Sequence, residues 1–191
     1  MEAAKPERAL RRMARLAPWQ RARREHERVT VLLDDLEPAR FRCLHRVETG
    51  YGDVDHVVVG PTGAFAIQTT HWTGVVHTKR DRLICGFRDE EKARRRAIWN
   101  AACLEQWLEE GGVDIAVTAL LVPIEARVDG NRIELPSLTV LPVESLPAFL
   151  RDGATTLTEA QIVRAAAAIG ERARSSEKPA PPAPHTRTAS R

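Results

Sequence analysis

The stretch Gly52-Asp53-Val54-Asp55-His56-Val57-Val58-Val59-Gly60-Pro61-Thr62-Gly63-Ala64-Phe65-Ala66-Ile67-Gln68-Thr69-Thr70-His71-Trp72-Thr73-Gly74 decides the fold. Val54 to Val59 and Ala64 to Thr70 are β-rich runs, and the turn formers Gly60-Pro61-Thr62-Gly63 lie between them, so the segment reads as a β-hairpin. Closure by a two- or four-residue loop sets Asp55 opposite Gln68 and Asp53 opposite Thr70, with both pairs on one face of the sheet. Pro61 cannot take the positive φ of a primed two-residue turn, so the expected loop has four residues with Gly63 left-handed. A three-residue loop would slip the register by one and scatter these side chains unless a bulge restored it.

Working outward, Val29, Leu32, Leu33 and Leu36 recur at helical spacing and Pro38 ends that helix. Phe41 to Val47 is a first strand, with Glu48 to Gly52 its turn. Downstream, Gly74 to Thr78 and Leu83 to Phe87 form a second hairpin about Lys79 to Arg82. Ala93, Ala97, Ala101, Leu104 and Leu108 mark a helix from Asp89 to Glu110, stopped by Gly111-Gly112. Trp99 and Trp107 lie eight positions apart on it, within about 80° of each other, and are expected in the core. Val113 to Val122, closed by Pro123, is a nearly unbroken apolar run suited to a strand covered on both faces. Leu138 to Leu141 is a short strand and Val143 to Leu150 a short helix. Thr158 with Gln161 is a capping box for a helix reaching about Arg174. This order, without internal repeat, predicts an α/β domain: a mixed central β-sheet flanked by helices.

At 191 residues, 43% hydrophobic and 29% charged, the chain has the balance of one globular domain, expected over 21–174. A basic extension precedes it over 1–20, and a Pro/Ala/Ser-rich tail expected to be disordered follows over 175–191. No apolar run approaches membrane-spanning length and no apolar segment opens the chain, so a cytoplasmic location is expected. The three cysteines are widely spaced without a Cys-x-x-Cys pair, which argues against a disulfide framework or structural zinc and for buried core residues. Net charge is only +3, yet Met1 to Arg24 holds eight basic residues against two acidic ones. Such an arm can lie on phosphate or on an anionic membrane face, or simply be a solvated helical extension.

The Gly52 to Gly74 segment resembles the signature of nuclease-related (NERD) domains, a family similar to the PD-(D/E)XK nucleases. The resemblance implies a restriction-endonuclease-like core. Asp55 matches the family's metal-binding Asp, while Gln68-Thr69-Thr70 stands where Glu or Asp, Thr and Lys are expected. Glu27 resembles the glutamate that such domains carry on the first helix, and Asp53 is a further possible ligand. The implied catalytic positions are thus Asp55, Gln68, Thr70 and Glu27, and the implied metal set is Asp55, Gln68, Glu27 and Asp53.

In that family chemistry, paired carboxylates hold a hard divalent cation that stabilises charge on the attacked phosphodiester, and a lysine orients or deprotonates water. Gln68 offers only a neutral oxygen and Thr70 has no ammonium, so magnesium or manganese is expected to bind weakly or not at all. Lys79 is the one lysine placed to act as a migrated base. Lys92, Arg94, Arg95 and Arg96, with Lys79, are the expected nucleic-acid contacts. Trp72 occupies the family's aromatic position, to stack on a base or to cover the sheet edge. His45, His56, His71 and His77 lie on neighbouring strands, without a known ligand spacing. The leading expectation is a catalytically impaired pseudo-nuclease that binds nucleic acid, DNA ahead of RNA, or a DNA-processing partner. An active divalent-metal nuclease and a protein-protein interaction module are the alternatives.

Overall fold

The computed structural model describes residues 27–49 and 52–176. The expected extension 1–20, and 177–191 of the expected tail, lie outside the described residues. Helix α1 covers residues 27–34. Then come β1 (Arg42–Thr49), β2 (Gly52–Gly60), β3 (Gly63–Lys79), β4 (Arg82–Cys85), β5 (Arg88–Asp89) and α2 (Glu91–Glu110). The rest is β6 (Val117–Val128), β7 (Ile133–Leu135), β8 (Leu138–Val140), α3 (Leu146–Arg151) and α4 (Glu159–Ser176). The eight strands form one mixed sheet in the order β1-β2-β3-β6-β8-β7, with β4 on the free stretch of β3 and β5 on β4. This is the α/β architecture expected from the sequence.

The sheet separates two cores. On one face Val57, Val59, Ala64 and Ala66 pack with Ala101, Leu104 and Leu108 of α2 and Ala165 and Ile169 of α4. On the other, Val58, Phe65 and Ile67 pack with Val29 and Leu33 of α1 and Leu146 and Leu150 of α3. Neighbouring valines of β2 thus serve opposite cores. Each fully buried side chain contributes roughly 2 kcal/mol of transfer free energy, which fixes the alternation and with it the register.

The β2–β3 ladder pairs Gly60 with Gly63, Val58 with Phe65 and His56 with Ile67, the register predicted from the loop. The loop itself differs from expectation, because only Pro61 and Thr62 lie between the last paired residues. Thr62 keeps a negative φ while Gly63 takes φ +142°, so the positive angle is moved onto the glycine and Pro61 is accommodated. Gly60 is required for another reason, since a Cβ there would come within 2.2 Å of the Phe41 ring.

β3 is antiparallel to β2 and parallel to β6. The two strands expected on either side of His71 are one strand of 17 residues. Its pairing with β6 shifts between Thr70, opposite Pro123, and Thr73, opposite Glu125, so β3 carries one extra residue there. Pro123 has no N–H to give the ladder, and a bulge is the usual consequence. Pro123 therefore interrupts β6 without ending it. The apolar run before it enters the sheet only at Val117, because Val113 and Ile115 are spent packing the loop after α2 into the core. Trp99 is 54% exposed against 8% for Trp107. The buried stripe of α2 is centred on Ala97, Ala101, Leu104 and Leu108, and 80° is enough to carry Trp99 off its edge. Of the three cysteines only Cys85 is fully buried; Cys43 and Cys103 are half-buried free thiols.

Candidate functional site

Asp55 sits at a kink in β2. The β1–β2 ladder pairs His45 with His56 and Val47 with Val54 but skips the intervening rung of Arg46 and Asp55, where Arg46 takes φ +55°. Val54 and Val57 consequently share one core although simple alternation would put them on opposite faces. Beyond the His56–Ile67 pair, the Asp55 side chain replaces the backbone ladder to β3. Its Oδ2 accepts from Gln68 Nε2, from the Thr69 backbone N–H and from Thr69 Oγ1, each at 2.7 Å.

Gln68 thus turns its amide nitrogen to the acid. Its Oε1 and the Thr70 hydroxyl oxygen are buried without a hydrogen-bond partner. A hard divalent cation needs several oxygen ligands, preferably anionic. One carboxylate oxygen already holding three donors does not fit that demand, and among the described residues no group of three or more His, Cys, Asp or Glu side chains is placed to hold a metal ion. Asp53 is exposed two residues before Asp55, and Glu27 is exposed in the first described turn of α1. Lys79 lies at the tip of the β3–β4 hairpin, at the opposite end of β3 from the Gly63 turn, where it pairs with Arg82. Among the described residues the hydrogen bonds of the Asp55 carboxylate come from Gln68 and Thr69 alone. Thr69 was not among the expected residues, because strict alternation assigns it to the far face and only the kink at Asp55 brings the two together.

One residue further along β2, His56 is fully buried and its Nδ1 lies 2.7 Å from Nδ1 of His45. His45 Nε2 in turn lies 3.2 Å from Asp34 Oδ1 on α1. One imidazole must donate and the other accept across the Nδ1 pair, and a second N–H, on His45 Nε2, points to the exposed carboxylate. The other two histidines stand apart: His71 is exposed and His77 is near the Val75 carbonyl at 3.4 Å. Close by, burial, with Asp34 adding to it, pushes the Cys43 thiol up to about 11, which leaves it a poor nucleophile.

The basic run of α2 divides by contact. Arg94 Nη1 donates to Glu91 Oε1 at 3.2 Å and to the Asp81 carbonyl at 2.9 Å, bracing the start of the helix. Glu91 Oε1 also accepts the Leu83 amide at 2.9 Å, and that bond, ahead of Arg94, holds its carboxyl below the ordinary value. Arg96 lies over Gly52, where a Cβ would meet its Nε at 3.4 Å, and donates to the Asp53 carbonyl at 3.2 Å. Lys92 and Arg95 are exposed. Asn100, 1% exposed, accepts from Thr49 at 2.8 Å and ties α2 to the end of β1. No apolar periodicity could have marked this polar link.

No helix among the described residues is long and apolar enough to cross a membrane. No curated protein and no solved structure matches the chain. The family model described as "Nuclease-related domain" matches residues 21–124, from the approach to α1 through the hairpin and α2 to Pro123 and Ile124 of β6. With more than half of its 191 residues matched, the chain belongs to the nuclease-related domain (NERD) family.

Proposed function

We propose that this domain binds nucleic acid while its metal-dependent cleavage is impaired. The reading is carried by one observation: Asp55, the hairpin acid that meets Gln68, is engaged by three hydrogen-bond donors on one oxygen. Where cleavage needs a second carboxylate, Gln68 supplies an N–H that hydrogen-bonds to the first. Where it needs an ammonium, Thr70 supplies a buried hydroxyl. Removing groups of this kind typically costs orders of magnitude in rate. Binding has separate support. The exposed cations Lys92 and Arg95 follow the hairpin on α2, and phosphate contact needs positive charge without needing the metal set.

Cleavage of single- and double-stranded DNA and RNA in magnesium and in manganese tests the first half. The wild-type chain is expected to show no metal-dependent turnover, and the double variant Gln68→Glu/Thr70→Lys to gain at least roughly a hundredfold over it. Wild-type turnover that disappears in Asp55→Ala would overturn the reading. Anisotropy titrations over a range of salt test the second half. A steep fall of affinity with salt is expected, and absence of binding even at low salt would point instead to a protein partner.

A further inference from the structure

Beyond the bulge of β3 an open cleft of about 460 Å³ lies between that strand and the β4–β5 hairpin. Two glycines line it. Gly74 takes φ +110° and Gly86 φ +61°, and a Cβ on Gly74 would sit 3.7 Å from the Gly86 Cα, so the two backbones meet with no side chain between them. Two aromatic rings also line the cleft, Trp72 and Phe87. Trp72 is half-buried against the core behind it, whereas Phe87 is fully exposed, at 106% of its reference area. One exposed apolar residue is ordinary on a protein surface. Here the exposed ring shares its cleft with a second aromatic, with the exposed cation Arg88 and with Glu90, and Lys92 follows Glu90 on the first turn of α2.

That combination selects a class of ligand. Two aromatic rings and two glycines in one cleft suit a flat ring, and the volume lies within the range of small-molecule sites. The exposed cation Arg88 in the lining suits a phosphate tethered to that ring. The Glu90 carboxyl would repel phosphate but can accept N–H groups from the edge of a base. The bulge that Pro123 imposes on β3 places Trp72 just past Gln68 and Thr70, so a strand running along the hairpin cluster would arrive at the cleft.

We propose that the cleft walled by Trp72 and Phe87 takes one unpaired base of a nucleic-acid strand, stacked on the rings with its phosphate toward Arg88. This rests on the reading that the domain binds nucleic acid, and goes beyond it by specifying a single-stranded or frayed ligand and the place where a base is held.

The test compares fluorescein-labelled single-stranded oligonucleotide with the same sequence as a duplex, by anisotropy at low salt, on the full chain and its Phe87→Ala and Phe87→Trp variants. Phe87 touches no core, so these variants are expected to fold, and circular dichroism confirms it. The full chain should prefer the single strand. Phe87→Ala should lose about tenfold in single-strand affinity with duplex affinity unchanged, and Phe87→Trp should restore the loss, as expected for base stacking. Single-strand binding unchanged in Phe87→Ala would overturn the cleft proposal and leave nucleic-acid binding intact. A complete lack of binding to either form would sink both, and the aromatic cleft would then belong to a protein partner.

Discussion

The two halves of β3 differ in what they do with their polar and aromatic groups. Before the bulge, Gln68 and Thr69 turn inward on Asp55, and the Thr70 hydroxyl is buried opposite Pro123. At the bulge and beyond, His71, Trp72 and Gly74 line a cleft shared with a wholly exposed phenylalanine and an arginine. In the first half Asp55 is satisfied by Gln68 and Thr69, while Gln68 Oε1 and the Thr70 hydroxyl stay enclosed without a partner. The second half leaves His71 exposed and Trp72 half-exposed beside the exposed Phe87. Loss of a reaction and loss of a surface are separable, because a metal site depends on charge at a few atoms while a stacking site depends on exposed area.

The contrast can be broken most forcefully at Asp55. If the acid is now chiefly a structural acceptor, Asp55→Ala strands the Gln68 amide, the Thr69 N–H and the Thr69 hydroxyl in a half-buried setting. The expected cost is about 3 kcal/mol of folding stability, the penalty of several donors losing a charged acceptor. Urea denaturation measures it. A change below roughly 1 kcal/mol would mean that the carboxylate is not holding the two strands together and is held in reserve for something else.

Much of the first half was legible from residue types. Gly60 and Gly63 around Pro61 set the register, and the valines of β2 could be buried in only one alternation, so the meeting of Asp55 with Gln68 followed. The kink that brings Thr69 to the same oxygen did not follow. It depends on Arg46 taking a positive φ on a different strand, and arginine gives no signal for that conformation. The second half was less legible still. Its bulge answers to Pro123 in β6, reached through a long crossover and a parallel pairing whose register no local turn fixes. Phe87 ended an apolar strand in the sequence reading, whereas Gly86 at φ +61° turns the chain there and throws the ring outward. The pairing of His45 with His56 likewise depends on the β1–β2 register, and four histidines on neighbouring strands carry no mark of which two touch.

A smaller effect sharpens how the second half is supported. Glu91 joins the start of α2 to β4 behind the cleft through the Leu83 amide, with Arg94 on the same oxygen. Its carboxyl is held below the ordinary 4.5, first by that backbone bond. A depressed carboxylate stabilises the fold above its unfolded value, and that contribution is lost as pH falls through the folded value. Stability should therefore drop below about pH 4.5 in a way that Glu91→Gln abolishes, with a cost of about 1 kcal/mol near neutrality. Denaturation midpoints of both proteins across the acid range decide it. Parallel curves for the two would show that other carboxylates carry the acid sensitivity.

The smallest expected effect separates the two halves most cleanly. Phe87 is fully exposed and belongs to neither core, so Phe87→Ala should change folding stability by no more than roughly 0.5 kcal/mol, against the several expected for Asp55→Ala. The same urea titrations supply the comparison. A near-silent Phe87 variant means that the ring contributes nothing to the folded chain alone, so any loss it produces in single-strand binding belongs to the contact with the ligand. A substantial destabilisation would instead mean that the ring folds back over the cleft glycines in solution. The cleft would then be closed by its own aromatic, and the contrast between an enclosed half of β3 and an available one would fail at the ring that faces it.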